Sequence, residues 1–196
     1  MSTLKTTNIT HGSNSGTANM VLASDGKVTV PTKKLVCPGT ILNVGHVTTT
    51  NTFSESVSAG AFSSNNVLNL NYTATSTSNR LLFTINLNVG NNNGNRHVGM
   101  ALYADGSVVT EAIGAASGSK NRVTAMALVD YDSNLQSCNA QAWVTPASTN
   151  SINYSIRLCN LHDATNTLTA NASAAESDTT QYGRPISSMT IMEKSQ

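Results

Sequence analysis

Charge is what this sequence has least of. Asp, Glu, Lys and Arg make up 11% of its residues, against roughly 25% in an average soluble domain. The formal net charge is +1, so there is no electrostatic footprint for nucleic acid and no basic run for an anionic membrane. Long apolar runs are missing too; nothing approaches the ~20 apolar residues of a spanning helix. Residues 1–10 are mostly polar, with Lys5 their only charge and no apolar run behind them, so no export signal is expected. Cysteine is scarce and odd in number. Cys37, Cys138 and Cys159 show no CxxC spacing, which argues against a disulfide framework and a zinc site alike. Reduced thiols made in a cytoplasm and packed in a core are the expectation.

The chemistry-bearing residues are thin on the ground. His11, His46, His97 and His162 are scattered, and none stands at metal spacing from a second ligand. His162 and Asp163 are adjacent, which on a strand would send their side chains to opposite faces. Asp130-Tyr131-Asp132 lacks the glycine and closing glutamate of a calcium loop and reads as a polar turn. There is no Gly-x-Ser-x-Gly elbow and no phosphate-cradling glycine loop. No catalytic residue, metal ligand or cofactor is expected, and the chain does not read as an enzyme. Aromatics are few, one Trp, five Tyr and three Phe. Trp143 and Tyr131 combine an apolar face with a polar handle that suits a sugar ring, although core or interface filling is the plainer role for the aromatics.

What is present in quantity is Asn, Ser and Thr, interleaved with short β-prone runs. Clusters of Gly, Asn, Asp and Ser separate these runs, which is the pattern of a β-sandwich or barrel. Strands are expected over residues 41–49, 67–73, 80–89, 97–103, 108–113, 122–130, 141–144, 152–158 and 185–192, about eight or nine in the main domain. The apolar run 122–130 is expected to cross the core. Asn91-Asn92-Asn93-Gly94-Asn95 can only be a loop. Asp25-Gly26 and Asp105-Gly106 each lie between β-prone runs, the strongest short-range hairpin signal, because both central residues of a type I′ turn need positive φ. The expected fold is all-β: an antiparallel β-sandwich, jelly-roll-like, over residues 37–196, preceded by an arm and β-hairpin over residues 1–36.

Several stretches in order resemble structural proteins of tailed bacteriophages, particularly those of cyanobacterial and other marine hosts. They are the polar opening Met1-Ser2-Thr3-Leu4-Lys5-Thr6-Thr7-Asn8-Ile9 and the segment from Ala18 to Pro31. A Thr/Ser-rich turn from Tyr72 to Ser78 follows, then Arg80-Leu81-Leu82-Phe83, and the hairpin Leu102-Tyr103-Ala104-Asp105-Gly106-Ser107. The closing stretch is Ser187-Ser188-Met189-Thr190-Ile191-Met192-Glu193. One departure is Arg80, where those proteins usually carry lysine; the charge is kept. The resemblance implies a homotrimeric jelly-roll module in a virion, assembled in the bacterial cytoplasm. It would serve as a capsid decoration, cement or head-fibre protein attached through its N-terminal segment. The attachment candidates are Asn19, Met20, Val21, Leu22, Val28 and Val30. Its partners would be further copies of itself and capsid or tail proteins, with no nucleic acid and no membrane. The alternative is a tail-fibre module that contacts host surface glycan or protein, with Asn92, Asn93, Asn95, Tyr131 and Trp143 as candidate contacts.

Overall fold

The computed structural model describes residues 38–180 and 182–196, with Asn8–Ile9, Met20–Leu22, Ser24 and Val28–Thr29 ahead of them. Three short strands come first, β1 (Asn8–Ile9), β2 (Met20–Leu22) and β3 (Val28–Thr29), joined in the order β1-β2-β3. Leu22 pairs with Val28 and Val21 with Thr29, antiparallel, so β2 and β3 form a hairpin joined by residues 23–27. Asp25, Gly26, Asn19 and Val30 lie outside the described residues, as do His11 and Cys37. The strand β1, which pairs with β2, was not anticipated from the sequence.

Eleven strands, β4 to β14, form the main body: β4 (Ile41–Thr49), β5 (Phe53–Val57), β6 (Leu68–Tyr72), β7 (Arg80–Asn91), β8 (Arg96–Ala104), β9 (Ser107–Val108), β10 (Ala125–Val129), β11 (Gln136–Val144), β12 (Ile152–Asn160), β13 (Asn166–Ala170) and β14 (Ser187–Lys194). One sheet has the order β4-β14-β7-β13-β5, with β11 on the other side of β7; the second has the order β10-β8-β12-β6, with β9 against β8. The antiparallel pairs are nested. β4 pairs with β14, β5 with β13, β6 with β12, β7 with β11 and β8 with β10. The chain is therefore one long hairpin folded back at the β8–β9 turn and then wrapped, with β7–β14 and β8–β12 closing the wrap. That is the winding of a jelly roll, as expected.

The core lies between the two sheets and follows the period of two in each strand. From β7 it takes Leu81, Phe83, Ile85, Leu87 and Val89; from β8 Val98, Met100 and Leu102; from β12 Tyr154, Ile156 and Leu158; from β14 Met189 and Ile191. Each such side chain contributes about 1.5–3 kcal/mol by leaving water. Phe83 meets Tyr154 edge-to-face at 4.9 Å. Cys138 and Cys159 are buried free thiols, and burial pushes both up to about 11. The turn at Asp105-Gly106 has φ of 47° and 79°, the paired positive angles that the dipeptide signalled.

Three expectations are corrected. The run 122–130 does not cross the core: β10 is an edge strand, and its Met126 and Leu128 are 60% and 40% exposed. The stretch 108–113 is strand only to Val108, because a 3-10 turn over Thr110–Ala112 interrupts it. The short strands β5 and β13 are additions to the expected set. His162 and Asp163 sit in a bend, where their side chains meet, Nε2 to Oδ1, at 2.7 Å.

Two of the sequence motifs converge on one buried carboxylate. Glu193 is 0% exposed. It accepts from the Thr75 amide at 2.8 Å, the Thr75 hydroxyl at 2.6 Å, Asn79 Nδ2 at 2.7 Å and the Tyr72 hydroxyl at 3.3 Å. Burial by itself raises the Glu193 pKa. The hydrogen bonds from Thr75, Asn79 and the Ser76 amide outweigh it and leave the carboxyl below its ordinary value. The Thr/Ser-rich turn is thus the socket for Glu193.

Candidate interaction faces

The two sheets differ in what covers their outer faces. On the β10-β8-β12-β6 sheet the chain covers much of the face itself, leaving Met126 and Leu128 of β10 open. Phe62 packs edge-to-face on Tyr103 at 5.8 Å, and the Arg157 guanidinium lies 4.7 Å from the centre of the Tyr103 ring. Gly99 lies so close beneath its neighbours that a Cβ there would come within 2.8 Å of Val123 and 3.1 Å of Leu161.

On the other sheet, β4, β14, β7 and β11 present an open face whose side chains line up across the strands. One row is Thr48, Ser188, Asn86 and Asn139; the next is His46, Thr190, Thr84 and Gln141; the third is Val44, Met192, Leu82 and Trp143. All twelve are exposed or half-buried, and none is Asp, Glu, Lys or Arg. His46 is tied into its row and the next, with Nδ1 2.8 Å from the Thr190 hydroxyl and Nε2 2.8 Å from the Thr48 hydroxyl. The third row is wholly apolar, with Val44 56% and Trp143 43% exposed. Of these residues only Trp143 was singled out from the sequence. The doubled apolar character of Leu81-Leu82 is the signal for Leu82, since strand alternation must put one of the two outside.

Below the apolar row, Arg80 and Lys194 stand directly opposite each other on β7 and β14. With Trp143 and Gln196 they line an open hollow of about 250 Å³. The Lys194 ammonium is 6.0 Å from the centre of the Trp143 ring. Glu111 lies 3.7 Å from Arg80 and also accepts from the Thr145 amide at 3.0 Å.

The other candidate contacts gather elsewhere. Asn92, Asn93 and Asn95 are exposed in the β7–β8 loop, with Asn95 at φ 60°. The Asn95 amide donates to the Asp130 carbonyl at 2.9 Å, and a Cβ on Gly94 would stand 2.5 Å from that oxygen and 3.2 Å from Tyr131 Cα. Tyr131, 67% exposed, therefore shares an end of the sandwich with the Asn-rich loop. Trp143 does not. It lies seven residues along β11 from Gln136, about 23 Å of strand, at the opposite end. Of the attachment candidates, Val21 is 37% exposed; Met20, Leu22 and Val28 are placed by backbone pairing alone. Among the described residues no His, Cys, Asp or Glu cluster is built to hold a metal ion. The sequence matches no protein-family model and no curated protein.

Proposed function

We propose that this chain is a non-enzymatic structural protein of a bacteriophage particle, a homotrimeric decoration, cement or head-fibre protein displayed on the capsid. The observation that carries this reading is the open face of β4, β14, β7 and β11. A face depleted of charge, with an apolar row across it, has the composition of an interface core rather than of a solvated surface. Self-association buries it, and a three-fold arrangement closes heterologous contacts into a ring. The order of sequence motifs supports the virion assignment. The β1-β2-β3 sheet supports the attachment role, since its edge strands offer backbone groups for pairing with a capsid protein. A cement protein so attached stabilises only the assembled shell, because it binds that state and not free subunits.

Light scattering of the purified chain tests the oligomer: a trimer is expected, and Val44→Glu is expected to yield monomer with an unchanged circular dichroism spectrum. A wild-type monomer at tens of micromolar refutes the trimer. Immunogold labelling of intact particles tests the location, with gold over the head expected. A second reading, a tail-fibre receptor-binding module, is favoured by the exposed Tyr131 beside the Asn-rich loop. Gold confined to the tail selects it over the first.

A further inference from the structure

The geometry points to the hollow between Arg80, Lys194 and Trp143 as a binding site for an acidic saccharide, a sugar ring that carries a carboxylate or sulfate. The inference rests on the chain being displayed at a particle surface with Trp143 open to solvent, so ligand binding here competes with burial of the Val44–Trp143 row in a trimer. Arg80 and Lys194 are like charges directly opposite on paired strands, an arrangement that is locally unfavourable. Glu111 offsets it only in part, at 3.7 Å from Arg80, and among the described residues no carboxylate pairs with Lys194. Arg80 Nε is buried and meets no acceptor among the described residues. Guanidinium, ammonium and indole N–H groups are all donors with no acceptor capacity. The hollow sets these donors beside one uncharged amide, that of Gln196, and a negatively charged oxygen ligand pairs with its two cations. Trp143 supplies a flat apolar wall that a bare inorganic anion does not need. The volume of about 250 Å³ is below that of pockets for drug-sized molecules and suits a single ring. With a net charge of +1 and no basic stripe leading away, a nucleic acid is not the fitting polyanion.

Trp143 is the only tryptophan in the chain, so its fluorescence reports on this hollow. The protein is titrated with sodium glucuronate, glucose and sodium sulfate at constant ionic strength. A saturable change with glucuronate is expected, with glucose at least about tenfold weaker. Lys194→Gln, checked for fold by circular dichroism, is expected to weaken glucuronate about tenfold or more. No response to glucuronate, an equal response to glucose, or an unchanged affinity in Lys194→Gln overturns the proposal. Sulfate that matches glucuronate also overturns it, because the sugar ring then contributes nothing. Light scattering on the same samples keeps the two readings apart: a monomer that binds glucuronate refutes the trimer and not the site, and a trimer that binds none does the reverse.

Discussion

Replacing Glu193 by Leu removes the acceptor from at least four donors at once. Glu193 is 0% exposed, and the Thr75 amide, Thr75 hydroxyl, Asn79 amide and Tyr72 hydroxyl all point at it. Asn79 Nδ2 keeps a second acceptor, the Thr75 hydroxyl oxygen at 3.0 Å, and the Tyr72 bond is long at 3.3 Å. Two donors of Thr75, its amide and its hydroxyl, are therefore left without adequate acceptors. At about 1–3 kcal/mol for each of the two stranded groups, the expected loss is roughly 2–6 kcal/mol, or about 4–24 °C in Tm for a domain of this size. Glu193→Gln keeps the shape and one acceptor oxygen and is expected to cost only about 1–2 kcal/mol. The two variants also differ in pH response. The folded carboxyl sits below its ordinary value, so the unfolded chain binds more protons than the folded one in the window between the two values. The stability from Glu193 is present above the unfolded value, near 4.5, and is lost as pH falls through the lower folded one. Wild type is expected to lose stability to urea between pH 6 and pH 3, and Glu193→Gln to lose less over the same range. The readout is urea unfolding followed by far-ultraviolet circular dichroism. A Glu193→Leu protein within about 0.5 kcal/mol of wild type at pH 7 refutes the reasoning, since surface substitutions are of that size.

Phe83→Ala empties a site that is 0% exposed and ends the edge-to-face contact with Tyr154; a loss of about 3–5 kcal/mol in urea unfolding is expected. Cys138 and Cys159, pushed up to about 11 by burial, are expected to be inert to a disulfide reagent at pH 8 in the folded protein and to react once it is unfolded in urea. Modification mapped by mass spectrometry checks both. Gly106→Ala places a Cβ at φ 79° with no steric neighbour, so backbone strain alone is expected to cost about 1 kcal/mol, seen as a lower urea midpoint with an unchanged slope.

The strands that carry the core were legible because their apolar residues alternate. In β7, Leu81, Phe83, Ile85, Leu87 and Val89 repeat with a period of two, and β8 and β12 behave alike. β13 was not legible: Asn166, Thr169 and the following Asn171 are buried but polar. Side-chain bonds such as Asn166 Nδ2 to Asn160 Oδ1 and Ser187 Oγ to Asn171 Oδ1 make that burial affordable, and periodicity does not register them. The opposite error befell 122–130, where Met126 and Leu128 are apolar yet point outward on an edge. Composition cannot separate a core strand from an edge strand with an apolar outer side. At the candidate sites, Trp143 stood out as the only tryptophan. The residues that complete its surroundings, Arg80, Lys194 and Val44, come from three strands and lie as much as 150 positions apart, and only register brings them together.

The nested pairing has a bearing on how the chain is made. β4 lies at the edge of its sheet, and its ladder partner is β14. A ribosome adds roughly 5–20 residues per second, so the stretch between Thr49 and Ser187 takes roughly 7–30 s to synthesise. For that time Ile41 to Thr49 has left the ribosome with no strand to join. Folding of the sandwich is then held until its last strand emerges, and high-separation pairing of this kind is slow and exposed to aggregation. Nascent chains truncated before Ser187 are expected to depend on chaperones in a way that the finished protein does not.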